Sequence, residues 1–191
     1  MLAHHHHIPN DPSSVSDHDL SVILQDPNDY LWFGSFSQGL NRLDTNTGQF
    51  QHYRNDAADE QSLSDNIIWS MHVDQQGNFW VGTNNGLNRA EQGFSNQGET
   101  ATASGFTSFI SPSSLQPNAS LDAIRTMLED QKGNFWIGTD GGGINYTAAE
   151  RTTSIRHEPS QSASIPSDRI RIIIEDTAEN LYVGSIGGLS Q

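Results

Sequence analysis

The chain has no cysteine, which excludes a disulfide framework and thiolate chemistry. It is poor in positive charge. Nine Lys and Arg stand against 23 Asp and Glu, giving a formal net charge of −14 and a pI near 4.6. So few cations make no broad positive face, which argues against nucleic acid, an anionic membrane surface or a polyanionic sugar as partner. The acidity itself reads as solubility. Long apolar runs are missing too. None approaches the roughly 18 residues of a membrane span, and mean hydropathy is −0.58. No Gly-x-Ser-x-Gly nucleophile motif occurs. Asp140-Gly141-Gly142-Gly143 lacks the Lys and the helix of a phosphate cradle. The Asp-x-x-Gly-Asn segments offer too few alternating oxygen ligands for a calcium loop. Catalytic residues, metal ligands and cofactors are therefore all expected to be absent. Met1 to Ile8 carries no secretory signal pattern. The run His4 to His7 alternates faces on a strand, so its four rings cannot converge on one ion. A strand end or a purification tag fits it better.

What the chain has is a repeat. Asp74-Gln75-Gln76-Gly77-Asn78-Phe79-Trp80-Val81-Gly82-Thr83 returns almost unchanged from Asp130 to Thr139. Looser copies run from Asp26 to Gly34 and from Asp176 to Gly184. The aromatic at the centre falls at Trp32, Trp80, Trp136 and Tyr182, a period of 46 to 56 residues. Each unit reads as four strands. The first is a β-branched apolar run ending in an acid, such as Ile170 to Asp176, and the second carries the aromatic. The third follows a glycine turn, as in Gly86-Leu87-Asn88-Arg89. The fourth is outermost and most variable, clearest at Phe50 to Tyr53. Polar loops such as Arg54 to Gln61 join one unit to the next. The second unit takes a Gly/Ser/Thr-rich surface insertion between Glu91 and Gly105.

Tandem four-stranded antiparallel units with no helical period predict an all-β chain of about four β-propeller blades. The ring is either a small closed one or a piece of a larger one. The expected blades are 17–53, 65–109, 121–157 and 168–191, the last completed by residues 4–8 as an outer strand that would remove open edges. The recurring aromatics should pack between blades. The recurring acids Asp26, Asp74, Asp130 and Asp176 should accept backbone N–H groups of the turns that follow them.

The unit Asp-x-x-Gly-Asn-Phe-Trp-(Val/Ile)-Gly-Thr followed by Gly-Leu-Asn-Arg resembles the two-component regulator propeller repeat, as do Asp44 to Tyr53 and Ser62-Leu63-Ser64-Asp65-Asn66. The resemblance runs along essentially the whole chain and is weakest in the fourth unit, where Tyr182 replaces Trp and Glu179 replaces Gly. It implies the extracytoplasmic, periplasmic sensor region of a bacterial membrane receptor, set ahead of a histidine kinase, hybrid regulator or diguanylate cyclase. It further implies an oligosaccharide or other small polar ligand, and membrane attachment only through segments not in this chain. A homo-oligomer through propeller contacts is expected.

Residues shared by every blade serve structure, so the informative positions are those where the repeats differ. One column of the innermost strand holds Ser21, Trp69, Arg125 and Arg171. The turn after the second strand holds Phe36-Ser37-Gln38, Asn84-Asn85, Asp140-Gly141 and Ile186. In a propeller these positions meet at the mouth of the central channel, the default ligand site. The candidate ligand-binding residues are Trp69, Arg125, Arg169, Arg171, Asn84, Asn85, Asp140 and Gln38. For any one of them the competing reading is channel filling, with salt bridges to Asp122 or Asp168. The expected function is non-enzymatic ligand sensing. The alternatives are a propeller lyase of the streptogramin lyase type, which calls for a clustered His/Glu/metal set, and a protein-interaction scaffold, which calls for a large apolar face.

Overall fold

A computed structural model describes residues 4–90, 105–109, 123–148 and 151–191. Residues 91–104 of the expected insertion, the loop 111–118 and Asp122 lie outside the described residues. Four sheets follow one another in chain order, each antiparallel with strands in sequential order. The first blade is β1 (Leu20–Gln25), β2 (Tyr30–Ser35), β3 (Leu40–Asp44) and β4 (Phe50–Tyr53). The second is β5 (Ile68–Val73), β6 (Phe79–Thr83), β7 (Gly86–Ala90) and β8 (Phe106–Phe109). The third is β9 (Ile124–Glu129), β10 (Phe135–Thr139), β11 (Ile144–Ala148) and β12 (Arg151–Ile155). The fourth has three strands among the described residues, β13 (Ile170–Glu175), β14 (Leu181–Ser185) and β15 (Gly188–Ser190). The all-β propeller-blade architecture expected from the repeat is present. Among the described residues no helix is long and apolar enough to cross a membrane.

One local device builds each blade. The acid closing the innermost strand takes backbone N–H groups of the turn on Oδ1, at 3.1 Å from Tyr30, 2.8 Å from Asn78, 2.8 Å from Asn134 and 2.9 Å from Asn180. This is the expected turn role. Its second oxygen reaches further, to the aromatic six residues on. The indole N–H groups of Trp32, Trp80 and Trp136 donate to Asp26, Asp74 and Asp130 at 2.8, 2.8 and 2.9 Å. The Tyr182 hydroxyl donates to Asp176 at a longer 3.2 Å. One carboxylate thus fixes both the turn and the rotamer of the packing aromatic.

The core lies between blades rather than at one centre. It forms three clusters, one for each junction of neighbouring blades. Trp32 stands 4.5 Å from the Phe79 ring of the next blade, and Trp80 stands 5.0 Å from Phe135. The aromatic column therefore does pack between blades. The glycine after each aromatic sets how closely they approach. A Cβ on Gly34, Gly82 or Gly138 would lie 2.7, 2.7 or 2.6 Å from the Cγ2 of Ile68, Ile124 or Ile170 on the following blade. Those three isoleucines are fully buried. Later junctions add a carboxylate latch, in which Glu129 and Glu175 accept the backbone N–H groups of Gln75 and Gln131 at 2.7 and 2.9 Å.

Residues 4–8 have no strand pairing and lie beside the first blade, with the His5 ring 5.4 Å from Phe50. The segment after them copies the joining loops. His7 Nδ1 bonds the Val15 carbonyl at 2.9 Å, just as Asn55 bonds Leu63 and His157 bonds Ile165, both at 2.6 Å.

Candidate ligand-binding face

In every blade the pairing of the two innermost strands skips one residue. Leu20 pairs with Ser35 and Val22 with Gly34, leaving Ser21 out of the ladder. The same slip leaves out Trp69, Arg125 and Arg171. A bulge of this kind detaches a residue from strand pairing and re-aims its side chain. The turn after the second strand is anchored beside it. The backbone N–H groups of Phe36, Asn84, Asp140 and Ile186 donate to the carbonyls of Asp19, Ile67, Ala123 and Arg169 at 2.9 to 3.2 Å. The two columns singled out in the sequence are therefore adjacent in space on one end of the blades.

On that end the side chains form one connected chain across all four blades. Phe36 of the first blade meets the Trp69 ring edge-on at 5.4 Å. Trp69 donates from Nε1 to Asn84 Oδ1 at 3.4 Å. The Arg125 guanidinium lies over the Trp69 ring, 3.5 Å from its centroid, close enough for a cation–π contact. Arg125 Nη2 then donates to Asp140 Oδ2 at 2.7 Å. Two arginines of the fourth blade complete the set, Arg169 Nε to Asp140 Oδ1 at 2.6 Å and Arg171 Nη1 to Asp140 Oδ2 at 3.2 Å. Arg169 also pairs with Asp140 through the backbone.

Three guanidiniums around one carboxylate leave a local excess of positive charge in an acidic chain. The hydrogen bond from Arg169 comes first in holding the Asp140 carboxyl far below the usual carboxylate range. Burial opposes it, and Arg125 and Arg171 add to it. Asp140 in turn raises Arg169 above its ordinary value. Asp140 is nearly enclosed, whereas the side chains of Arg169 and Arg171 are 53% and 41% exposed. Their remaining donors are open to solvent. Arg125 Nε is buried with no hydrogen-bond partner among the described residues.

Six of the eight candidate residues, Trp69, Asn84, Arg125, Asp140, Arg169 and Arg171, belong to this cluster. Asn85 is exposed, and its backbone N–H donates to Thr83 Oγ1 at 3.2 Å. Gln38 lines a separate depression of about 660 Å³ with His7, His18, His52 and Arg54. The first-blade residue that does reach the cluster is Phe36, which shares a column with Asn84 and Asp140. That register was the available signal. The acid that ties the arginines is Asp140 itself, while Asp168 accepts the His157 backbone N–H at 2.6 Å. Among the described residues no group of three or more His, Asp and Glu is placed to hold a metal ion.

Comparison with known proteins bears on the fold and its repeat. The family model of the two component regulator propeller matches residues 62–85 and 119–141. No curated protein sequence matches the chain. Among solved structures, the extracellular domain of BT3049 from B. thetaiotaomicron, described as a hybrid two component system, superposes with a TM-score of 0.75 at 23% identity, covering 95% of this chain and 23% of that one. The extracellular domain of BT4673 from the same organism, described as a one component system, gives 0.70 at 18% identity, with 92% and 21% covered. Virginiamycin B lyase from Staphylococcus aureus gives 0.59 at 15% identity, with 95% and 52% covered. At these identities the likeness is one of fold, and the chain spans about a quarter of the two extracellular domains. The chain is built of β-propeller blades, and its residues 62–85 and 119–141 match the two component regulator propeller repeat.

Proposed function

We propose that the chain is part of a ligand-sensing, signal-transducing propeller of a bacterial membrane receptor, on the periplasmic side. The face from Phe36 through Trp69 and Arg125 to Asp140 takes a small polar or carbohydrate ligand. The observation that carries this reading is that positions differing from blade to blade assemble into one cluster, while positions shared by the blades build the junctions between them. The repeat type and the likeness to extracellular domains described as parts of two component and one component systems support the setting.

The chemistry is that of recognition rather than turnover. The aromatic faces of Trp69 and Phe36 offer stacking surface, and Arg169 and Arg171 offer exposed donors. The one carboxylate at the centre is held ionised by its arginines, so it neither donates nor takes up a proton near neutral pH. Because the cluster links all four blades, a ligand that favours one arrangement of them over another shifts the receptor between signalling states by that difference in affinity.

The test is a titration of the chain with a panel of neutral and uronic-acid-containing oligosaccharides, read by tryptophan emission and calorimetry. A saturable response that Trp69→Ala and Arg171→Ala each abolish is expected. Binding that survives both substitutions places the ligand elsewhere and overturns the reading, as does the absence of binding across the panel.

A further inference from the structure

We propose that the junction between the first and second blades is a built-in hinge. It pivots where Gly34 meets Ile68 and opens at the far end of the innermost strands, beside Pro27 and Val73.

The other two junctions are tied along their innermost strands at three levels. At the turn end, Glu129 accepts the Gln75 backbone N–H at 2.7 Å and Glu175 accepts that of Gln131 at 2.9 Å. In mid-strand, Ser70 Oγ donates to the Ile124 carbonyl at 2.9 Å, and Thr126 Oγ1 accepts the Ile173 backbone N–H at 3.4 Å. At the bulge end, Arg125 lies 3.5 Å over the Trp69 ring, and Arg169 and Arg171 bond Asp140.

The first junction has a residue at each of these places, and none of the polar ties is made there among the described residues. Val73 stands where Glu129 and Glu175 stand and offers no acceptor. Pro27 stands where Gln75 and Gln131 stand and has no N–H to give. Donor and acceptor are thus absent together. Val22 takes the place of Ser70 and Thr126. A Cβ on Gly34 would meet its Cγ1 at 2.7 Å, as one on Gly138 would meet Thr126 Cγ2 at 2.6 Å. The second methyl of Val22 therefore stands where Thr126 carries its oxygen. At the bulge end the contact is the edge-on pair of Phe36 and Trp69 at 5.4 Å. The turn end of this junction holds a cleft of about 600 Å³ lined by Leu24, Pro27, Asp29, His72 and Val73.

The outer part of the same junction is closed. Trp32 packs on Phe79 at 4.5 Å and on Tyr53 at 5.7 Å, and Tyr53 meets Phe106 at 6.0 Å. The Gly39 backbone N–H donates to the Asn66 carbonyl at 2.9 Å, and that of Asn55 to Asn66 Oδ1 at 2.8 Å. Apolar packing is non-directional, so two such faces can roll on each other, whereas a hydrogen bond weakens steeply off its line. The first junction keeps its cohesion and lacks angular stiffness. Along the strands Gly34 lies between the cleft and Phe36, so opening the cleft shifts Phe36 against Trp69. One further step rests on the ligand-sensing reading of that face: a molecule seated on Phe36 and Trp69 sets the width of the cleft.

Spin labels read the hinge with no ligand present, so the outcome is independent of that reading. The chain has no native cysteine. Asn28, Gln76 and Lys132 are exposed and occupy one position of the repeat, two residues after the turn acid. An Asn28→Cys, Gln76→Cys pair spans the first junction, and a Gln76→Cys, Lys132→Cys pair spans the second. Electron-spin distance measurement is expected to give a broader distribution, with a tail to longer distance, for the first pair. Val22→Thr keeps the side-chain shape and offers the Met71 backbone N–H the acceptor that Thr126 offers Ile173. It is expected to narrow the first distribution. Adding Pro27→Gln and Val73→Glu rebuilds the latch and is expected to bring it to the width of the second, with strand-type circular dichroism verifying the fold. Equal widths before any tie is restored overturn the proposal. So does a first distribution that Val22→Thr leaves as broad in a folded chain.

Discussion

The carboxylate of Asp74 holds the indole N–H of Trp80 at 2.8 Å while its other oxygen holds the Asn78 backbone N–H at 2.8 Å. Trp80 packs against Phe135 of the following blade, so one side chain couples the shape of a turn to the seating of a blade junction.

Asp74→Ala leaves both donors without their acceptor and costs about 1–3 kcal/mol of stability. Denaturant unfolding measures it. The corresponding change at Asp176 is expected to cost less, because Tyr182 binds it at a longer 3.2 Å.

Gly138→Ala places a methyl 2.6 Å from both Ile170 and Thr126 Cγ2 and is expected to destabilise by about 1–3 kcal/mol through overpacking. Gly184→Ala meets only Ile172 of its own blade, at 2.9 Å, an exposed side chain with room to move. Comparing the two melting temperatures separates the effect of a blade junction from that of a strand.

Two carboxylates give the chain an acid limit. Burial pushes the Asp130 carboxyl up, but hydrogen bonds from Trp136, Asn134 and Lys132 outweigh it and the group ends below its ordinary value. Asp140 is lowered further by its arginines. Folded values below the unfolded value of about 3.9 mean stability that is complete above that pH and lost as pH falls towards the folded values. The melting temperature should fall slightly as pH drops through about 6.5, because burial keeps His52 and His72 from charging in the fold, and drop steeply below about pH 4. Asp140→Asn should melt lower at pH 7 and show a shallower acid slope.

His72 lies 4.0 Å from Glu129, which also latches the Gln75 backbone. Burial lowers the His72 imidazole below its usual value, and the charge of Glu129 partly offsets that. Glu129→Gln is expected to lower it further, which a proton NMR titration of the ring follows directly.

The blades were legible because their chemistry repeats. Asp-x-x-Gly-Asn, the aromatic, the glycine after it and the buried isoleucine recur with one spacing, and one copy explains the others. The cluster was legible for the complementary reason, since Trp69, Arg125 and Arg171 break a column that is otherwise regular. The choice within each turn was not legible. Gln38 and Asn85 are polar and looked suited to a ligand, yet Phe36 reaches Trp69 because the first turn position, not the second or third, is bonded back to the innermost strand. Nor did spacing alone show that the repeated Asp reaches the indole. That contact depends on two oxygens facing different ways across a closed turn.

The bulge at Ser21, Trp69, Arg125 and Arg171 carries a consequence for how this protein can change. The residue it expels takes no part in the ladder on either side, while its neighbours Ile68, Ile124 and Ile170 hold the junctions. The backbone thus offers one writable position per blade on an otherwise fixed frame. Substituting those positions in combination would re-address the molecule to a different small molecule without renegotiating how its blades stack.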